Sequence, residues 1–272
     1  MIPAFLEYIF EYITEQTQLI SVELVQKNYK KTNIGDYKKD TMGEIAKGGS
    51  EALNLILSGD PELYGIVGLS LFVSGISVLI STCIGLPLGV LLGTHNFRGK
   101  GIIIRITYTF MSLPPVIAGL FVFLILMRRG PFGYLQLNYT PTAMIIAQVC
   151  LVTPIIMGLT YNLVKEKART IRNLALTLGA RGPSILTLMI YEMRVGLTTA
   201  LVSGFGRAIS EVGAVMIVGG NIKGKTRVMT TYITELKTMG DYSRAIAVGI
   251  ILLIIAFLIT TILYNFQERE SK

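Results

Sequence analysis

Residues 63–94 read LYGIVGLSLFVSGISVLISTCIGLPLGVLLGT, 32 positions without one Asp, Glu, Lys or Arg. About 20 mostly apolar residues suffice for a helix to cross roughly 30 Å of hydrocarbon. The same absence of charge recurs over 106–127, 130–164 and 245–267, and a further stretch, 195–222, is interrupted only by Arg207 and Glu211. These five stretches exclude a soluble single-core domain. They predict an all-α, polytopic membrane protein with helices near 65–93, 104–127, 140–164, 195–222 and 245–267. Only 15% of the chain is charged, against about 25% in an ordinary soluble domain.

Within the first stretch Ser77, Ser81, Gly85, Gly89 and Gly93 recur every fourth residue. That period builds one smooth helix face for close approach of a neighbour. Pro87 is expected to bend the helix near its end. Ser112-Leu113-Pro114-Pro115 in the second span, and Pro141 and Pro154 in the third, leave backbone carbonyls that neighbouring helices or water must satisfy. Cys83 and Cys150 both fall inside spans and are expected to be packed thiols. His95 is the single histidine, so neither a metal centre nor a catalytic residue is expected.

The net charge of +8 is placed in loops between spans, where basic residues set orientation and meet anionic head groups. Nucleic-acid binding is the weaker reading of it. With 95–105, 165–194 and the C-terminal tail 268–272 on the cytoplasmic side, eleven Lys and Arg face the cytoplasm. The opposite loops, 128–139 and 223–244, hold seven. This favours N-out, C-in. Residues 1–50 form an extension of different composition. Glu7, Glu11 and Glu15 alternate with Phe5, Ile9 and Ile13 at helical spacing, whereas 27–50 is Lys-, Gly- and Thr-rich and reads as a linker. Met42, ahead of the lead-in Glu51–Leu57, is a candidate native start. Residues 51–267 are expected to form the membrane domain.

Arg207 lies about 16 Å into its span at 1.5 Å per residue, near the bilayer midplane. A charge there must pair or face water, and Glu211 at i+4 shares its helix face. Two readings stay open: a structural ion pair, or a pathway in which Arg207 offers a forked donor to a tetrahedral dianion, with Ser210, Glu211 and Asn221 beside it. Lys223, Lys225 and Arg227 form a basic loop, read either as solvated or as a positive vestibule. Gly219-Gly220-Asn221-Ile222-Lys223-Gly224-Lys225-Thr226 matches the phosphate-binding pattern G-x-x-x-x-G-K-[ST], and Val212–Val218 could serve as its strand. Only 46 residues follow Thr226, too few for a nucleotide-binding fold, so the match is a decoy.

The segment 165–194 is the most informative outside the spans. Ile171, Leu174, Ala175 and Leu178 fall at i, i+3, i+4 and i+7 and predict a short amphipathic helix, Ala168–Leu178. Gly179 is expected to close it. Arg181-Gly182-Pro183 then interrupts the chain before a second helix from Ser184.

Asn173-Leu174-Ala175-Leu176-Thr177-Leu178-Gly179-Ala180 resembles the E-A-A-x-x-x-G loop of permease subunits of ATP-binding-cassette importers. Asn173 and Leu174 replace the usual Glu and Ala, and Met189-Ile190-Tyr191-Glu192 stands where I-x-L-P is common. Ser112–Gly119 and Gly204–Ala214 are similar to the oxyanion group of these permeases, those for sulfate, molybdate and tungstate. Ile209–Asn221 and Thr140–Gln148 are most similar to the tungstate type. The resemblance spans about residues 51–266. It implies a type I importer permease fold in the inner membrane, a homodimer surrounded by lipid, and cytoplasmic ATPase subunits gripping Asn173, Leu174, Ala175, Leu178, Gly179 and Ala180. It also implies an extracytoplasmic oxyanion-binding protein. ATP and Mg would be held by the partner, with no cofactor on this chain. Molybdate or sulfate transport is the nearest alternative. An ion-coupled secondary anion transporter would call for internal repeats, and a membrane enzyme for paired catalytic groups; neither is evident.

Overall fold

The computed structural model describes residues 34–180 and 183–271. The chain divides into two units between Lys47 and Gly48. Among the described residues, regular structure is helical: α1 (Ile34–Leu57), α2 (Pro61–Thr94), α3 (Lys100–Met111), α4 (Pro115–Leu126), α5 (Pro141–Thr177), α6 (Pro183–Ile209), α7 (Gly213–Gly219), α8 (Met229–Met239) and α9 (Tyr242–Ser271). Residues 34–50, read from composition as linker, are helical, whereas the helix expected around 5–15, residues 27–33, Arg181 and Gly182 fall outside the described residues.

Three helices, α2, α5 and residues 242–265 of α9, are each long and apolar enough to cross a bilayer. The other two expected spans are not continuous. The α3–α4 pair bends by 104° and the α6–α7 pair by 54°. In the first pair, consecutive prolines explain the break. Pro114 and Pro115 supply no N–H, and the residue before a proline is pushed out of the helical region. The freed groups are reused locally: Leu113 N donates to Phe110 O, and Ile117 N and Ala118 N both donate to Pro114 O. Pro141, by contrast, occupies the first turn of α5 under the Thr140 cap, where a missing N–H leaves no carbonyl stranded. Among the described residues, Pro87 and Pro154 are the prolines inside helices.

Contacts along α5 define the directions. Ser77 lies beside Ile145, Gly85 beside Thr153 and Ile156, Gly89 beside Met157 and Thr160, and Gly93 beside Val164. Both numbers rise together, so α2 and α5 are parallel. The period of four in α2 is therefore the seam itself. A Cβ at Gly89 would stand 2.6 Å from Thr160 Cβ and 2.8 Å from Met157 O. Gly196 meets Leu163, Gly204 meets Val152 and Ile156, and Gln148 donates to Ala208 O; α6 is antiparallel. Tyr108 in α3 bonds Asn162, whereas Phe123 in α4 packs on Tyr139 just ahead of α5. The bent α3–α4 pair thus carries the chain from one end of α5 to the other, which makes it one broken span rather than a re-entrant loop. Helix α9 starts beside Leu63 and Ile66 in a shared apolar cluster. Counting each bent pair once, the described residues supply up to five crossings.

Cys83 and Cys150, expected to be packed, are exposed in this single chain.

Candidate functional site

The second break lies where sequence placed the charged pair. Helix α6 stops at Ile209, α7 starts at Gly213, and Ser210-Glu211-Val212 connect them. An interrupted helix in a membrane strands carbonyls at its end. Two side chains collect them: Gln148 Nε2 donates to Ala208 O at 3.0 Å, and Thr230 Oγ1 donates to Glu211 O at 2.9 Å. On the other side of the break, the Glu211 carboxylate accepts from Ala214 N at 3.1 Å, at the start of α7. Its second oxygen lies 3.4 Å from Arg207 Nη2.

The two charges differ in setting. The Glu211 side chain is 4% exposed and that of Arg207 37%. The carboxylate is thus a buried staple between the first backbone turn of α7 and the Arg207 side chain, while the guanidinium reaches open space from its anchor. Ser210 is also exposed, with its hydroxyl returned to Gly206 O at 2.8 Å. Arg207 sits at the level of Gln148, about 10 Å along α5 from Pro141 at 1.5 Å per residue. That is on the α5-start side of the span's middle, a little off the expected midplane. Gly119 brings α4 onto α7, since a Cβ there would stand 2.6 Å from Ala214 Cα. The segments that follow the two breaks are therefore packed backbone to backbone.

Asn221 does not join this group. It lies beyond α7, in the left-handed region at φ +51°, and donates to Glu235 Oε2 at 2.9 Å. The basic loop is likewise drawn into carboxylates. Lys223 pairs with Glu62 at 2.7 Å, and Arg227 with Glu62 at 3.4 Å and Glu235 at 2.7 Å. The acid opening α2 and one within α8 neutralise what sequence read as a free positive surface, leaving Lys225 exposed. Burial, then the Glu62 carboxylate, pushes the Tyr232 phenol above its ordinary value, so it stays neutral beside Arg227.

The phosphate-binding match is a closed turn. Val212–Val218 leads into and forms α7, not a strand. Thr226 is fully buried; its hydroxyl donates to Gly219 O at 2.6 Å and accepts from Ile222 N at 3.0 Å. The space a phosphate would need is filled by the loop's own atoms.

At the far end of the bundle, α5 runs 37 residues, about 55 Å, well beyond the hydrocarbon. The expected short helix is the projecting end of this long one, because no breaker intervenes before Gly179. Its buried side is Ala168, Ile171 and Ala175. Leu174 and Leu178, read from spacing as part of that side, are 58% and 75% exposed, and Leu176 is exposed with them. Asn173 is also exposed. Gly179 at φ +79° ends the helix: Ala180 N donates to Ala175 O and Gly179 N to Leu176 O, the paired bonds of a left-handed C-terminal cap. That conformation explains a glycine at this place in the motif.

Sequence reasoning missed Thr230, Ala214 and Gly119, and gave Gln148 no structural part. Gln148 alone carried a signal, as an amide in an uncharged run of 35 residues. Among the described residues, no group of His, Cys, Asp and Glu could hold a metal ion.

The family described as "binding-protein-dependent transport system inner membrane component" matches residues 85–272. A tungstate uptake system permease protein, TupB, from Peptoclostridium acidaminophilum is 50% identical over 228 residues, covering 84% of this chain and all of the relative. The TupB of Campylobacter jejuni is 33% identical over 231 residues, covering 85% and 97%. Among solved structures, a bacterial ABC transporter importing the acidic polysaccharide alginate aligns with a TM-score of 0.66 at 17% identity, over 97% of this chain and 99% of that one.

Proposed function

Because this chain belongs to the inner-membrane components of binding-protein-dependent transport systems, we propose that it is the permease of an ATP-driven importer for tungstate. Two permeases carrying that name match it at 50% and 33% identity. The chain binds no cofactor and performs no hydrolysis; ATP and Mg belong to a cytoplasmic ATPase partner. Two copies enclose the pathway, the start of α2 faces outward and the end of α9 inward, and a binding protein delivers the anion from outside.

The observation that carries this reading is the half-open Arg207 anchored on the buried Glu211 at a broken span. A guanidinium presents planar, forked donors to an oxyanion. Glu211 lowers the cost of the charge within the membrane, and the break keeps the region polar. Arg207 weakly holds the dianion in transit, with Ser210 as a second donor beside it. Chemical work reaches this point from the exposed Leu174, Leu176 and Leu178, which seat in the ATPase. The α5 helix runs unbroken between the two ends, with Pro154 in its interior, so motion of the leucines is passed along it to the break.

The test is uptake by the reconstituted transporter with its binding protein. Arg207→Lys should still assemble and hydrolyse ATP, yet move tungstate at least about tenfold more slowly, since the forked contact is lost. Competition among tungstate, molybdate and sulfate decides the cargo. Unaltered uptake by Arg207→Ala would remove Arg207 from the pathway, and preferential uptake of molybdate or sulfate would reassign the anion.

A further inference from the structure

Gln148 lies on α5 at the level of the break and is 3% exposed. Only half of its amide is satisfied. Nε2 donates to Ala208 O at 3.0 Å, whereas Oε1 is buried and, among the described residues, accepts no hydrogen bond. As a contribution to stability this is a poor arrangement. The net gain from one buried hydrogen bond is smaller than the loss from one buried acceptor left without a donor. A methionine, close in length and with no polar group to satisfy, would serve packing at least as well. Gln148 also stands in the charge-free run 130–164, where a polar side chain in the hydrocarbon region is costly. Packing does not account for it.

The acceptor that it engages does. Ala208 follows Arg207 directly, and Ala208 O also accepts from Glu211 N at 3.3 Å, the bond that closes the turn at the end of α6. Glu211 in turn holds Arg207 Nη2 at 3.4 Å and accepts from Ala214 N at 3.1 Å. A single carbonyl therefore separates Gln148 from the residue that anchors the guanidinium. Neighbouring contacts between α5 and α6, Gly196 on Leu163 and Gly204 on Val152 and Ile156, are apolar and set no direction. A hydrogen bond does, because it weakens steeply with angle and distance. We propose that Gln148 is a positioning residue for Arg207. It fixes the turn from which Glu211 holds the guanidinium and ties that turn to α5, so that a displacement of α5 re-aims Arg207. The inference rests on the reading of Arg207 as the group that holds the anion. It gives the motion of α5 a defined point of arrival, about 39 Å along the helix from Leu174.

The test measures tungstate uptake per assembled complex in proteoliposomes containing the ATPase and the binding protein, together with the melting temperature in detergent. Gln148→Met should assemble, hydrolyse ATP and melt within about 2 °C of the parent. It should nevertheless take up tungstate roughly fivefold more slowly, the effect of one lost hydrogen bond. Added to Arg207→Lys, it should slow uptake by less than about twofold further, because changes acting through one group do not multiply. Parental uptake by Gln148→Met overturns the proposal, as does full multiplication of the two losses in the double variant. Failure to assemble, or melting lowered as far as in Glu211→Ala, would mark Gln148 as a brace for the fold and overturns it too. Unimpaired uptake by Arg207→Lys refutes the Arg207 reading itself. Slowed uptake by Arg207→Lys beside parental uptake by Gln148→Met refutes the positioning role alone.

Discussion

Replacing Glu211 tests whether the broken span is held as its geometry indicates. In Glu211→Ala, Ala214 N loses its carboxylate acceptor while remaining fully buried. An orphaned buried N–H costs about 1–3 kcal/mol. The removed side chain leaves a void, and Arg207 loses its counter-charge, though at 37% exposure it can recover hydration and the pair itself is worth under about 1 kcal/mol. Together these give roughly 3–5 kcal/mol, the range for breaking a buried pair. Glu211→Gln keeps one oxygen for Ala214 N and loses only the charge, so it should cost about 1 kcal/mol. Unfolding of a membrane complex is not reversible, and the working measure is the apparent melting temperature of the assembled transporter in detergent. At about 2–4 °C per kcal/mol for a chain of this order, the alanine variant should melt about 10 °C lower and the glutamine variant about 3 °C lower. Equal melting of the two variants would refute the capping role of the carboxylate. An alanine variant as stable as the parent would refute the staple altogether.

Gly89→Ala should spread the α2–α5 seam and cost about 1–3 kcal/mol, because its Cβ would meet Met157 O and Thr160. Gly75→Ala, with nothing within 4 Å, should be neutral or raise the melting temperature slightly. Thr226→Val should lower stability by about 1–3 kcal/mol through the unpaired Ile222 N and Gly219 O, with no change in nucleotide binding by the complex measured with a fluorescent ATP analogue. Leu178→Glu should abolish co-purification of the ATPase while leaving the chain in the membrane at normal abundance by immunoblot, since Leu178 is 75% exposed and supports no internal packing.

Much of the architecture was legible before any coordinates. Four charge-free runs and a fifth broken only by Arg207 and Glu211 located the apolar spans, and a period of four in α2 named the face that packs on α5. Pro114-Pro115 was visible as a source of stranded carbonyls, but not as a 104° bend. A composition window sees apolarity, not direction, and 22 uncharged residues look alike straight or broken. The break at Ser210–Val212 carried no proline at all. It depends on Gln148 and Thr230, distant in sequence, which satisfy the groups the helix gives up. Pairing was legible only at short range. Arg207 and Glu211 are one turn apart, whereas the partners of Lys223 and Arg227 include Glu62, some 160 positions away.

Hydrophobic length and small-residue spacing, being properties of neighbouring positions, were enough to determine that this chain crosses a membrane and which helix faces are smooth. Which polar groups are free was decided only by the tertiary structure. Leu174 and Leu178 share the apolar face of Ile171 and Ala175 yet remain exposed, because at the projecting end of α5 no described residue covers them. Whether a charge is available to a ligand depends on acceptors brought within about 3 Å, and folding, not order along the chain, brings them there.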